Sequence, residues 1–251
     1  MRIEVNDLSY SAGSKRILTG ISVVFEGKRI YGIIGPNGCG KTTLLRHIYR
    51  HYPAKGHIRV NDRPLEAYPG REYARHVAVM MQDYPEADLR VCEIVQSGRY
   101  PYKKVMMPYG QEDDAITEQI LQKTRLWEMR NRRIHTLSGG ERQRVMIARC
   151  LVQHPEVIIL DEPTNHLDIR YRVELMEMLR EFNGMVIITL HDLNLAAKYC
   201  DDILVMKAGS LFACGSPAKI LCPEILNEAF DTAIRVIEHN GELVIGIGNH
   251  G

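Results

Sequence analysis

The sequence lacks the features that would place the protein in a membrane-spanning, secreted or nucleic-acid-binding class. None of its apolar runs approaches the roughly 18–20 residues that cross a bilayer. Residues 1–5 alternate polar and apolar side chains, unlike a signal peptide. The formal net charge is only +1, so no bulk charge draws the chain to nucleic acid or anionic lipid. We therefore expect a cytosolic chain without a nucleic-acid partner, whose membrane association comes through another protein.

Cysteine pairs with metal-ligand spacing are also missing. The six cysteines form no C-x-x-C pair, so neither a zinc cluster nor a thioredoxin-like site is indicated. Reduced cysteines of a cytosolic protein are the favoured interpretation. With 251 residues, of which 45% are hydrophobic and 25% charged, the chain can form one large α/β domain or two small ones.

Alternating strand and helix patterns run along the chain. The apolar run at residues 157–161 is typical of a parallel strand buried on both faces. The alternation predicts an α/β core with a mostly parallel sheet, a helical insertion in the middle and a small terminal hairpin around residues 240–241. Strand patterns lie at residues 3–5, 21–25, 29–34, 56–60, 77–81, 157–161, 185–190 and 203–206, and helical patterns at 41–49, 91–97, 112–124, 141–153 and 169–182.

A glycine-rich loop between a predicted strand and a predicted helix matches the pattern G-x-x-x-x-G-K-[ST]. Its glycines let backbone N–H groups converge on an anion, and the helix adds its positive N-terminal end. Lys41 supplies a positive charge for the β- and γ-phosphates, and Thr42 a hydroxyl for Mg²⁺. The motif predicts nucleotide binding without separating ATP from GTP, or a hydrolase from a kinase. The nucleotide-binding residues are Gly35, Pro36, Asn37, Gly38, Cys39, Gly40, Lys41, Thr42 and Thr43.

Two consecutive carboxylates, Asp161 and Glu162, end the buried strand pattern. In open α/β folds, ligands bind at the carboxyl edge of the sheet. Asp161 is expected to hold Mg²⁺ through a water, and Glu162 to polarise the attacking water. A strand that simply ends in polar residues is the alternative. Beside a complete phosphate loop, however, the second carboxylate favours hydrolysis over a kinase reaction.

A second helix start carries two glycines. Ser138 followed by Glu141 forms a capping box, which on its own indicates a well-capped helix that needs no ligand. Gly139 and Gly140 go beyond what capping requires, because they expose backbone N–H groups at a positive helix end. The segment therefore predicts a second anion site, far in sequence from the first.

The run LSGGERQRV at residues 137–145, with the order of the other motifs, resembles the ATP-binding subunits of ABC transporters over essentially the whole chain. This resemblance implies a single P-loop NTPase domain of ABC type at residues 1–251, with a mostly parallel core sheet and an N-terminal antiparallel β portion. It implies a helical subdomain at about 85–155, inserted in a RecA-like core, and a strand pair at about 232–251.

The same resemblance implies that two copies form a head-to-tail dimer around two ATP molecules with Mg²⁺. Each ATP then lies on the phosphate loop of one copy and under Ser138, Gly139 and Gly140 of the other. Four single residues take roles on this basis: Gln82 senses Mg²⁺ and γ-phosphate, His191 contacts the γ-phosphate, Tyr10 stacks on adenine and Asp168 aligns the opposite site.

Segments after Gln82 resemble the importers of iron-siderophores, haem and cobalamin, which implies a separate permease, a substrate-binding protein and a place on the cytoplasmic face of the membrane. The residues that carry this resemblance are 91–95, 98–102, 191–197, 199–201, 206–209 and 215–217. They are shared in part with zinc and manganese importers, and Arg90 departs from the usual pattern. Arg99, Tyr100 and Tyr102 could equally form an ordinary surface. A soluble ABC ATPase, such as an iron-sulfur assembly component, remains the alternative.

Overall fold

Two β-sheets, a terminal hairpin and nine α-helices make up the chain where the computed structural model describes it, at residues 1–81, 88–104, 107–165 and 167–248. The strands are β1 (Arg2–Ala12), β2 (Lys15–Glu26), β3 (Ile30–Ile34), β4 (Ile58–Val60), β5 (Arg63–Pro64), β6 (Val77–Met80), β7 (Val157–Leu160), β8 (Met185–Thr189), β9 (Asp202–Lys207), β10 (Ser210–Gly215), β11 (Ile234–His239) and β12 (Glu242–Ile247). The helices are α1 (Lys41–Ile48), α2 (Gly70–His76), α3 (Val91–Ser97), α4 (Gln111–Lys123), α5 (Gly139–Leu151), α6 (Ile169–Arg180), α7 (Leu193–Tyr199), α8 (Pro217–Ile220) and α9 (Pro223–Phe230).

The larger sheet has the strand order β10-β9-β3-β8-β7-β6. All neighbouring strands in it are parallel except β9 and β10, which confirms the mostly parallel core. Strand β8 lies between β3 and β7, so the ends of these three strands meet at one edge of the sheet. That edge carries the phosphate loop after β3, the two carboxylates after β7 and His191 after β8.

The smaller sheet, with the order β2-β1-β4-β5, is antiparallel, as expected for the N-terminal portion. Its inward side chains, such as Ile3 and Phe25, are fully buried in one cluster with Ile33, Leu44 and Ile159. Helix α1 is therefore enclosed between the two sheets, which fixes the position of the loop that precedes it.

Helices α3, α4 and α5 lie in sequence between β6 and β7 and pack on one another. Helix α5 buries Val145, Ala148 and Leu151, as its pattern predicts. The interpretation of Arg99 as ordinary surface is wrong, because only 5% of this residue is exposed. Its Nε donates to Asp113 Oδ1 at 2.9 Å, and its guanidinium lies over the ring of Tyr102.

Several elements were not predicted from sequence. Helix α2 has only Tyr73 buried, so its mostly polar sequence shows little apolar periodicity.

The hairpin β11–β12 is present as predicted, and Asn240 and Gly241 both have positive φ (52° and 79°), as a two-residue type I′ turn requires. In the described ranges, none of the helices has the length and apolar character that a membrane span needs.

Candidate nucleotide-binding and catalytic site

The phosphate loop joins the buried strand β3 to helix α1. Gly40, which precedes α1, has φ 106°, and a Cβ there would lie 2.7 Å from Leu18 Cδ2. Only glycine fits this conformation and this close approach. Gly40 provides no side-chain cap for α1, and an uncapped helix start of this kind suits an anion, because its backbone N–H groups lack side-chain acceptors at the positive helix end.

Lys41 lies within the curve of this loop and is 4% exposed. Its Nζ donates to the carbonyl oxygens of Gly35 at 2.8 Å and Pro36 at 3.1 Å. Asn37 and Gly38, at the tip of the loop, are exposed. The loop therefore places one ammonium group beside the backbone N–H donors, which is the arrangement a polyphosphate needs.

Thr42 and Asp161 come together from different strand ends. The hydroxyl of Thr42 donates to Asp161 Oδ1 at 3.2 Å, and the hydroxyl of Thr189 donates to the same oxygen at 2.9 Å. Burial raises the pKa of Asp161, and the two hydroxyl hydrogen bonds lower it in part. A carboxylate and a hydroxyl thus share one pocket beside the phosphate loop.

Glu162 has the left-handed φ of 51°, an uncommon conformation for a residue other than glycine. Its Oε1 lies 2.9 Å from His191 Nε2, and its Oε2 accepts a hydrogen bond from Asn165 Nδ2 at 2.6 Å. Its backbone N–H donates to Thr189 Oγ1 at 2.6 Å. The carboxylate is therefore oriented by groups from two neighbouring strand ends.

The second helix start has the capping box predicted for it. The N–H of Glu141 donates to Ser138 Oγ at 3.3 Å, and the N–H of Ser138 donates to Glu141 Oε2 at 2.7 Å. Ser138 and Gly139 are exposed. Within the ranges that the structure describes, no hydrogen bond or ion pair joins Ser138, Gly139 or Gly140 to the phosphate loop of the same chain.

At position 140, glycine is also favoured for a steric reason. A Cβ at this position would lie 2.9 Å from the ring of Tyr171, whereas a Cβ at Gly139 would meet nothing within 4 Å. Tyr171 belongs to α6, and its N–H donates to Asp168 Oδ1 at 3.0 Å. Asp168 therefore caps α6 and, through Tyr171, is structurally linked to the start of α5.

Tyr10 lies beside the phosphate loop at the end of β1. It is paired in register with Leu18, the residue that packs against Gly40. Its ring stacks on Tyr52, with centroids 4.9 Å apart and planes at 21°, and meets His47 of α1 edge-on at 4.8 Å. The ring centroids of His47 and Tyr52 are 5.3 Å apart, so these two rings do not lie on opposite faces of the Tyr10 ring.

Cys39 of the phosphate loop is 4% exposed, and burial raises the pKa of its thiol, as expected of an unreactive cysteine. Gln82 lies outside the described residues, as does His166 of the segment that precedes Asp168.

Sequence reasoning missed Thr189, Tyr52 and Tyr171. Thr189 carries one available signal, a polar residue at the end of an otherwise apolar strand. The contacts of Tyr52 with Tyr10 and of Tyr171 with Gly140 join residues 42 and 31 positions apart. No local pattern reveals contacts at that separation.

These features define a nucleotide-hydrolysing protein of the P-loop class with a second, separate glycine-rich helix start. A family model described as "ABC transporter" matches residues 18–165, more than half of the chain. The hemin import ATP-binding protein HmuV of Bordetella avium is 36% identical over 255 residues, which cover 96% of this chain and 97% of that protein. The chain therefore belongs to the ABC transporter family.

Two further likenesses agree with this assignment. The ferric enterobactin transport ATP-binding protein FepC of Escherichia coli (strain K12) is 32% identical over 243 residues, covering 94% of this chain and 90% of that protein. One chain of an ABC transporter described as of metal-chelate type, solved in an inward-facing conformation, superposes with a TM-score of 0.81 at 23% identity, covering 97% of this chain and 95% of that one. The protein is an ATP-binding subunit whose hydrolysis of ATP is coupled to transport.

Proposed function

We propose that this ATPase powers the import of a metal chelate, namely an iron-siderophore, haem or cobalamin, through a separate permease. A substrate-binding protein delivers the chelate to that permease. The observation that supports the catalytic part is the convergence of Thr42, Asp161, Glu162 and His191 at one sheet edge. The names of the two relatives, for hemin and ferric enterobactin, support the cargo class. The chain then lies at the cytoplasmic face of the membrane, held there by the permease.

The nucleotide is ATP, with its phosphates on residues 35–43 and its base on Tyr10. The residues present also fit Mg²⁺. Mg²⁺ prefers oxygen ligands and is usually held by one or two carboxylates, substrate phosphates and waters. Asp161 and Thr42 offer such oxygens 3.2 Å apart, and the described ranges contain no larger His/Cys/Asp/Glu cluster that would suit another metal. When bound, the ion neutralises charge on the phosphate oxygens.

Glu162 is the group that polarises the attacking water in this proposal. Its two oxygens are already oriented by His191 and Asn165, and fixed orientation is what makes a general base effective. His191 lies beside it, where it can also contact the γ-phosphate. Lys41 holds the β- and γ-phosphates in exchange for its present bonds to Gly35 and Pro36. Gln82, as sensor of metal and phosphate, completes the set.

The second anion site acts on the nucleotide of another copy. Ser138 and Gly139 are exposed, and they lie at the positive end of a 13-residue helix. We therefore propose a head-to-tail dimer in which each active site combines the phosphate loop of one copy with Ser138, Gly139 and Gly140 of the other. Asp168 aligns that opposite site.

Substitution of the proposed base tests the catalytic assignment. In the full chain, Glu162→Gln should retain ATP binding and lose roughly 10²–10⁴ in turnover, because general base catalysis contributes about that much. The matched control is Glu181→Gln, at an exposed position of α6's C-terminal end, which should turn over like wild type. Wild-type turnover in Glu162→Gln would remove Glu162 from the mechanism.

A further inference from the structure

The hydroxyl of Thr189 bonds the Asp161 carboxylate and the backbone of Glu162 at once. It donates its one hydrogen to Asp161 Oδ1 at 2.9 Å and accepts the backbone N–H of Glu162 at 2.6 Å. A threonine hydroxyl has one donor hydrogen, so the bond to Asp161 fully commits its donor capacity. One side chain thereby fixes the position of one acid and the backbone of the next.

The fold explains why this residue occupies the central position. Thr189 is the last residue of β8, the strand between β3 and β7, and it pairs in register with Ile33 of β3. On the other side, Ile188 pairs with Leu160, the residue before Asp161. Thr189 is therefore placed between the phosphate loop and the two carboxylates.

Thr189 is rigidly held. It is 0% exposed at the end of a strand in which every residue is buried, and a β-branched side chain has few χ1 options. Thr42 donates to the same Oδ1 atom of Asp161 from the opposite element, α1. The Asp161 carboxylate is thus clamped between two hydroxyls, one of them connected directly to the turn that carries Glu162.

The Glu162 turn needs such support. Its left-handed φ of 51° is unfavourable for a side chain of this size, and conformations of this kind persist only where neighbouring contacts impose them. The hydrogen bond from Glu162 N–H to Thr189 Oγ1 is such a contact. It sets the direction in which the Glu162 side chain leaves the strand.

We propose that Thr189 is a positioning residue that helps to set the geometry of Asp161 and Glu162 together, so that metal binding and water activation share one supporting hydroxyl. This inference rests on the function proposed above for the two carboxylates. It assigns to Thr189 no contact with the nucleotide. Its effect on the reaction passes through its two hydrogen bonds.

Four variants of the full chain test the proposal. Thr189→Val keeps the shape and removes the hydroxyl, whereas Thr189→Ser keeps the hydroxyl and removes a methyl group. Thr189→Ala, compared with Thr189→Ser, gives the same contrast if the valine variant does not fold. The matched control is Thr124→Val, because Thr124 is also buried (1% exposed) but bonds the Ile120 carbonyl in the α3–α5 region.

Three measurements are made on each variant: kcat and KM for ATP, the affinity for a fluorescent ATP analogue with Mg²⁺ and with EDTA, and the thermal unfolding midpoint. Thr189→Val should lower kcat roughly 10- to 100-fold, since outer-sphere and positioning groups typically contribute that much. KM for ATP with Mg²⁺ should rise up to about tenfold, because KM approaches the dissociation constant when the chemical step is slow. The gain in affinity that Mg²⁺ gives should fall roughly tenfold, with the affinity in EDTA unchanged.

The serine variant and the Thr124→Val control should both keep wild-type kcat, KM and Mg²⁺ effect, although each loses some thermal stability with its buried methyl group or hydrogen bond. A valine variant with wild-type kcat and an unchanged Mg²⁺ effect would overturn the proposal. So would a serine variant as impaired as valine, because packing rather than the hydroxyl would then be responsible. Failure of the proposed function is recognised separately: wild type would show no Mg²⁺-dependent ATP binding, and Glu162→Gln would keep full turnover.

Discussion

Nε2 of His191 lies 2.9 Å from Oε1 of Glu162. The two residues follow neighbouring parallel strands, β8 and β7, and meet at the same sheet edge, where the Glu162 side chain is 18% exposed and that of His191 36%. An imidazole in direct contact with a carboxylate orients it and limits its rotation. This contact makes the two residues one functional unit, and substitution of either should impair the same step.

His191→Ala should therefore resemble Glu162→Gln. We expect kcat to fall about 10²-fold or more, with ATP affinity largely kept, because the lost group orients the base and is only one of several proposed contacts to the phosphates. Steady-state ATPase assays and nucleotide titration measure the two quantities. The exposed His239, in the terminal hairpin, provides the control substitution His239→Ala. A His191→Ala variant with unchanged kcat would show that the contact has no catalytic role.

Tyr10→Leu should weaken the binding of ATP but not of inorganic tripolyphosphate. Stacking of a base on an aromatic ring contributes about 1–3 kcal/mol, so a loss of roughly tenfold in ATP affinity is expected. Tyr52→Leu should have a smaller effect of the same sign, since Tyr52 supports the Tyr10 ring from one face. Tyr100, 58% exposed, serves for the control Tyr100→Leu. Equal losses for ATP and tripolyphosphate would exclude a role for Tyr10 in binding the base.

Gly139→Ala and Gly140→Ala should have opposite effects on stability. Alanine is favoured over glycine in a helix by about 1 kcal/mol, and a methyl group at Gly139 meets nothing, so Gly139→Ala should unfold at an equal or higher temperature. At Gly140 the methyl group would lie 2.9 Å from the Tyr171 ring and should lower the unfolding temperature. The double variant Gly140→Ala/Tyr171→Ala should lose less than the two single effects combined. Strict additivity would argue against the contact.

The stability that His47 contributes should depend on pH. Burial lowers the pKa of His47, the hydrogen bond with the Thr43 carbonyl opposes this in part, and the charge of His57 lowers it further. The folded protein therefore binds this proton less readily than the unfolded chain, so the contribution is present above the ordinary pKa of about 6.5 and is lost as the pH falls through the lowered folded value.

Denaturant unfolding of wild type and His47→Gln measures this dependence. The difference in unfolding free energy between the two proteins should shrink as the pH falls from about 7.5 to 5.5. Both proteins share the other histidines, so the contributions of those residues to the pH dependence cancel in the difference. A difference that stays constant with pH would mean that His47 titrates alike in the folded and unfolded chains.

The parts of the structure that could be predicted from sequence are those with local signals. The phosphate loop, the buried run ending at Asp161 and the capping box at Ser138 each combine residue type and short spacing, and the structure places them at strand ends and helix starts as expected. Thr189, Tyr52 and the burial of Arg99 could not be predicted, because each depends on which distant element packs alongside. Strand order, which brings β8 between β3 and β7, is likewise a property of the whole sheet.

If each active site is built from two copies, purified heterodimers with differently tagged chains should show it. Ser138→Asp retains a good N-cap residue but adds a negative charge where the partner's phosphates would lie, and Lys41→Ala removes the phosphate-loop ammonium. Ser138→Asn also keeps a good N-cap residue but adds no charge, so it is the control for the charge.

A heterodimer of Lys41→Ala with Ser138→Asp has one intact composite site and should recover about half of wild-type turnover, although each variant alone is inactive. A heterodimer of wild type with the doubly substituted chain has none and should be inactive. The reverse pattern, with activity only in the second heterodimer, would show that each chain carries a complete active site and would exclude a site shared between two copies.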